Sequence, residues 1–229
     1  MKRLIITLFT IGLFSRLVFA GTPDKIMESN ITDTQFTISW VSRESETGLI
    51  KYGGTKTTLD KIAYDDRGSN TVSTVHHVTV TGLSPQTTYY YEIICGDITV
   101  DDFEITTGVS LIPGGSDLVY GKVFQTNGES LAKDTIVYLT LQDYDNKGSE
   151  DESTLYSTLV DSGGYWYVNL VNFRTKDLTK FFKYSSKGDI LLIQAEGGNL
   201  GKTTLKIDTQ NDTPTSDLIL PGEEFSDKD

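Results

Sequence analysis

The chain has 229 residues, 37% of them hydrophobic, and its 32 acidic against 20 basic side chains leave a formal net charge of −12. That balance repels the phosphates of nucleic acids and the anionic surface of membranes, and so argues against both as partners. The single cysteine, Cys95, cannot close an internal disulfide. In the apolar run TTYYYEIICGD it reads as a small hydrophobe, and stability must come from packed cores.

Residues 1 to 20 have the order of a secretory signal. Met1-Lys2-Arg3 is basic, LIITLFTIGLFSRLVFA is almost wholly apolar, Val18 and Ala20 are small, and Gly21-Thr22-Pro23 ends any helix. The run is near the lower limit for a membrane span and Arg16 interrupts it, so cleavage after Ala20 is expected. Cleavage removes Lys2, Arg3 and Arg16 and takes the charge from −12 to −15. The expected location is secreted, periplasmic or cell surface, with no membrane insertion after cleavage.

Beyond residue 20 the apolar residues alternate in short runs punctuated by Gly, Asp, Asn and Ser, a period that predicts strands. In QFTISWVS, Phe36, Ile38 and Trp40 share one side and Thr37 and Ser39 the other. HHVTVTGL sets Val78 and Val80 against Thr79 and Thr81. GYWYVNLV sets Trp166, Val168 and Leu170 against Tyr165, Tyr167 and Asn169. Each strand is expected to have one core face and one wet face. Pro113-Gly114-Gly115 interrupts pairing. The expected organisation is all-β: two tandem Greek-key β-sandwiches, residues 21–108 and 117–221, a linker at 109–116 and a polar tail at 222–229.

The order FTISW, GLIKYG, HHVTVTGLSPQTTYYYEI resembles a fibronectin type III domain across residues 24–108. Leu83, Pro85 and Tyr89 fit that family's L-x-P-x-x-x-Y pattern, and Trp40 and Tyr52 its aromatic core positions. The resemblance implies that the Tyr89 hydroxyl bonds back to the backbone at a strand corner. The same stretch is similar to the sandwich that precedes the catalytic domain of purple acid phosphatases. That catalytic domain needs two metal ions held by several His, Asp and Asn residues, whereas this chain has only His76 and His77. Adjacent strand residues face opposite sides, so the two cannot chelate one ion; His76 is expected to pack and His77 to lie at the surface.

In the second half, Gly121-Lys122-Val123, an Asn127-Gly128 turn, and Thr158, Asp161, Gly164 and Tyr165 in TLVDSGGYW resemble a carboxypeptidase regulatory-like, transthyretin-like β-sandwich, a non-catalytic accessory module. The TLVDSGGYW segment is expected to be a hairpin. Some related surface sandwiches carry a Lys to Asn or Asp amide cross-link, for which Lys122 and Asp208 are the available pair. The acidic loop from Asp143 to Glu152 offers oxygen ligands for calcium. However, Lys147 and Thr154 stand where ligands are needed, and a solvated loop with no cofactor is the reading.

No G-x-S-x-G, H-E-x-x-H or phosphate loop occurs, and a Ser-His-Asp triad would have to use one of the two strand histidines. The expected function is therefore non-enzymatic: adhesion, assembly or binding, with a protein partner or self-assembly, including a subunit of an extracellular filament or coat. Tyr165, Tyr167 and Tyr90, on the faces opposite Trp166 and Tyr89, are the candidate contact residues. Stacked tyrosines also bind sugars, so a carbohydrate-binding or accessory protein of a secreted hydrolase is the alternative.

Overall fold

The computed structural model describes residues 21–222; the expected signal at 1–20 and residues 223–229 of the tail lie outside the described residues. The chain is all-β, with sheets packed face to face. The first six strands are β1 (Asp24–Ser29), β2 (Gln35–Gly53), β3 (Lys61–Tyr64), β4 (Val72–Thr81), β5 (Thr88–Cys95) and β6 (Ile98–Thr106). β2 is 19 residues long, and its pairing with β4 shifts register between Val41 and Glu46. Before the shift it lies between β1 and β4; after it, between β3 and β5, with β6 beyond β5. One strand thus serves a three-stranded and a four-stranded sheet.

Between those sheets lie Phe36, Ile38, Trp40, Ile50, Val78, Tyr91 and Ile93, all buried as the alternation requires. Each such side chain contributes about 1.5–3 kcal/mol of transfer free energy. Tyr89 closes the corner: its hydroxyl accepts the backbone N–H of Ser84 at 3.0 Å. This is the contact the fibronectin type III resemblance implies. Gly48 is obligatory, because a Cβ there would sit 2.5 Å from His76 Nδ1 and 2.6 Å from the Trp40 ring.

The remaining strands are β7 (Leu118–Phe124), β8 (Ile136–Gln142), β9 (Tyr156–Leu159), β10 (Tyr165–Asn169), β11 (Ile190–Glu196), β12 (Lys202–Asp208) and β13 (Leu218–Ile219). A three-stranded sheet β10-β7-β13 packs on a four-stranded sheet β12-β11-β8-β9 over Trp166, Leu139, Leu141, Leu170, Phe173 and Ile193. Gly121 lets the Trp166 indole cross β7, since a Cβ there would meet the ring at 3.1 Å and Thr215 Oγ1 at 2.2 Å.

Three expectations change. The TLVDSGGYW turn forms, with Asp161 Oδ1 accepting the N–H groups of Gly163 (2.8 Å) and Tyr165 (2.9 Å). It is a corner rather than a hairpin, because β9 and β10 belong to different sheets. Thr37 and Ser39 are not wet; both are fully buried. His77 is not a surface residue; it is 5% exposed. The last two share a cause: the second sandwich lands on the face of β2 and β4 that points away from the first core.

Candidate functional site

Of the expected contact residues, Tyr165 (42% exposed) and Tyr167 (63%) stand together on the outer face of the β10-β7-β13 sheet. Alternation puts Trp166 inward and leaves both rings out. Opposite them on β7 are Lys122 and Tyr120. The Lys122 ammonium lies 4.4 Å from the Tyr165 ring centroid, a cation–π contact. Exposed Leu118 and Ile219 and half-buried Phe124 extend the apolar character of this face. Tyr90 is elsewhere, on β5 of the first sandwich, half-buried in a shallow pocket with Lys56, Leu59, Asp102 and Phe103. The fold therefore joins Tyr165 to Tyr167 and separates Tyr90 from both.

Lys122 and Asp208 are not brought together. Lys122 points over aromatic rings on one sheet, while Asp208, at the end of β12 in the other, accepts from Asn211 at 2.9 and 3.0 Å. The acidic loop closes differently from an EF-hand. Asp143 and Asp145 meet Asp189, a residue from outside the loop, with carboxylate oxygens within 4.8 Å of one another. These three could hold a hard cation if further oxygens completed the shell. Asp145 also takes Lys147 at 3.2 Å and Asp189 accepts the N–H groups of Tyr144 and Ser185, so protein donors already engage part of this cluster. Glu152 turns away to Lys176 at 2.6 Å.

A connected polar assembly lies at the seam between the sandwiches. It begins with Asp65-Asp66-Arg67, which runs along the otherwise open edge of β4. Asp66 N–H donates to His77 O (2.9 Å), Asp66 Oδ1 accepts Thr79 N–H (2.8 Å), and Arg67 donates to Val75 O. Edge backbone groups are thus satisfied by side chains rather than by another strand.

The two histidines then diverge. His76 turns to the first core, stacks on Trp40 (4.9 Å between centroids) and contacts Asp65 Oδ2 through Nδ1 at 3.2 Å. Burial pushes the Asp65 carboxyl up, but hydrogen bonds from Arg67 and His76 outweigh it and hold it well below the usual range. Burial pulls the His76 imidazole down, and its bond to Asp65 leads the contacts that more than offset this, so His76 is raised.

His77 turns to the seam. Its Nδ1 meets Asp66 Oδ2 at 2.8 Å and its Nε2 meets Ser157 Oγ of β9 at 2.8 Å. A carboxylate only accepts, so Nδ1 carries the proton in the neutral ring and Nε2 accepts from the Ser157 hydroxyl. Ser157 Oγ also contacts Ser29 Oγ (2.6 Å) and Asn30 Nδ2 (3.2 Å). Asn30 clamps the Ser157 backbone, taking its N–H on Oδ1 (2.9 Å) and giving Nδ2 to its carbonyl (3.0 Å). Nδ2 also reaches Thr37 Oγ1 (3.0 Å), which contacts Thr79 Oγ1 (3.0 Å), which donates to Asp66 Oδ2 (2.7 Å). The ring of bonds is closed.

Around this ring, Ser39 Oγ meets Tyr138 OH at 2.8 Å, and Lys25 pairs with buried Glu196 at 2.9 Å. Val75, Ile136 and Tyr138 form a small apolar cluster beside it. At the linker end, Arg174 holds Val109 O (2.7 Å) and Asp33 Oδ1 (3.1 Å). Asp66, His77 and Ser157 have the order of a proton relay. An outside acyl substrate nevertheless finds no vacancy there, since the Ser157 hydroxyl and N–H are both engaged by Asn30.

Sequence reasoning missed Asn30, Asp66 and Ser157. The only available signal was that the presumed wet side of the runs QFTISWVS and HHVTVTGL carries Thr37, Ser39, His77 and Thr79 and no Lys or Glu.

Residues 23–107 match the family model for the purple acid phosphatase N-terminal domain. The match covers the first sandwich and not the catalytic domain of that family. No curated protein matches the chain. Among solved structures, a computationally redesigned β-sandwich protein is 26% identical, covering 38% of this chain and 94% of its own, with a TM-score of 0.30. The chicken CNTN1 FN1-FN3 domains are 13% identical, covering 84% of this chain and 65% of theirs, with a TM-score of 0.29. The Yersinia pseudotuberculosis adhesin InvE is 11% identical, covering 86% and 65%, with a TM-score of 0.25. Scores this low carry no argument about function. Among the described residues, no helix is long and apolar enough to cross a membrane.

Proposed function

We propose that the chain is an exported, non-enzymatic surface or extracellular protein acting in adhesion, assembly or binding. Its contact surface is the outer face of the β10-β7-β13 sheet. One observation carries this reading: Tyr165 and Tyr167 stand exposed beside Leu118 and Ile219 on a flat face whose strands contribute a single charge, Lys122, in a chain of net charge −12. Aromatic anchors with few charges are the composition of interface centres. The second sandwich is read as carboxypeptidase regulatory-like on Gly121, Asp161 and Gly164. The partner is a protein or a further copy of the chain.

The ring geometry favours the carbohydrate alternative to a lesser degree, because two tyrosines two residues apart on a strand offer adjacent apolar platforms. Capture from the native cell envelope and medium, with wild type and the Tyr165→Ala/Tyr167→Ala double variant, tests the reading. The expected result is a partner retained by wild type and lost by the variant. Equal capture by both removes this face as the contact surface. Retention on polysaccharide alone selects the alternative.

A further inference from the structure

We propose that Ser157 and Asn30 join through an intramolecular ester that ties the two sandwiches covalently, with His77 and Asp66 moving the proton. The reactants are already in place. Ser157 Oγ is 2.8 Å from His77 Nε2, and His77 Nδ1 is 2.8 Å from Asp66 Oδ2, the arrangement that activates a serine hydroxyl. The Asn30 carboxamide is in contact with that hydroxyl, its nitrogen 3.2 Å from Oγ.

Asn30 bonds to the N–H and C=O of Ser157, groups that lie in the plane of the sheet. The Ser157 side chain stands out of that plane, as strand side chains do. Nδ2 donates to Thr37 Oγ1 and Ser157 O, both at 3.0 Å, and at longer range to Ser157 Oγ at 3.2 Å.

The step balances without a cofactor. His77 Nε2 takes the Ser157 proton, and Oγ adds to Asn30 Cγ. The negative charge on Oδ1 is met by the Ser157 N–H, now 2.9 Å away. The tetrahedral carbon collapses, the Cγ–Nδ2 bond breaks, and Nδ2 takes the proton back from His77 and leaves as ammonia. A Cγ–Oγ bond remains, and nothing is oxidised or reduced. Asp66 holds the imidazolium between the two transfers. Ser29, Asn30, His77 and Ser157 are all buried, which keeps water from hydrolysing the product. The chemistry does not depend on the contact surface proposed above.

Intact-mass measurement of the purified full chain tests this directly. The expected result is a deficit of about 17 Da, the mass of one ammonia, against the composition of the same chain. Digestion should give a branched peptide joining the segment with Asn30 to that with Ser157, opened by hydroxylamine. The deficit should vanish in Ser157→Ala and in His77→Ala. Cutting the chain at Gly114 in wild type should leave one band on a denaturing gel, a readout that needs no variant to fold. A wild-type mass equal to its composition overturns the proposal. So does a deficit that persists in Ser157→Ala, which marks ring closure of an asparagine on its own backbone.

Discussion

Ser39 and Trp40 are neighbours on β2, both fully buried, and they look into different interiors. Trp40 packs with Phe36 and Ile38 in the first core and stacks on His76. Ser39 bonds to Tyr138 of the second sandwich. A core of apolar side chains is held by non-directional contact, tolerates shifts of a few tenths of an ångström, and gives bulk stability. A seam of directed hydrogen bonds gives less net free energy, but each donor needs its own acceptor, so only one relative orientation satisfies all of them. The cores make the sandwiches; the seam sets the angle between them.

That contrast can be broken at several points. Trp40→Ala or Trp166→Ala should cost about 3–5 kcal/mol, read from denaturant titration, because each leaves a large cavity between sheets. Asn30→Ala should cost about 2 kcal/mol or more, because it removes every tie between Asn30 and Ser157, covalent or hydrogen-bonded. It should also separate one calorimetric transition into two, as the sandwiches lose their coupling. A single unsplit transition in that variant would place the coupling outside the ring.

The Asp65–His76 pair sets a pH window. Asp65 is held low, so its contribution is present above the unfolded carboxyl value of about 3.9 and fades as pH falls below it. His76 is raised, so its contribution is full below the unfolded imidazole value of about 6.5 and is lost as pH rises through its folded value. Thermal stability should therefore peak between about pH 4 and 6.5 and decline gently above, and the alkaline decline should be missing in His76→Gln. The smallest effect is expected from Tyr165→Ser and Tyr167→Ser. Stability should stay within about 0.5 kcal/mol of wild type, since both rings are exposed, while partner capture falls.

Both interiors were legible in the sequence, and so was the outward set of Tyr165 and Tyr167, because alternation decides which side of a strand a residue takes. It does not decide what lies beyond that side. Thr37, Ser39 and His77 were assigned correctly to the face away from the first core and wrongly to water, because the second sandwich covers them. Asn30 and Ser157 meet only because two independently built units dock, and no local pattern in SNITDTQ or LYSTLV records that. The carboxylate cluster fails in the same way. Asp143 and Asp145 were visible in an acidic loop, whereas Asp189 comes from the start of another strand hairpin and joins them through tertiary contact.

The shared strand β2 has a bearing on how the first sandwich comes apart. Ile38 pairs with β1 and β4 and Ile50 with β3 and β5, yet one unbroken backbone carries both. The sheets cannot part like two leaves, because a single ribbon is stitched through each. Amide hydrogens on the two halves of that ribbon should exchange with deuterated solvent at a common rate, as one cooperative opening exposes them together.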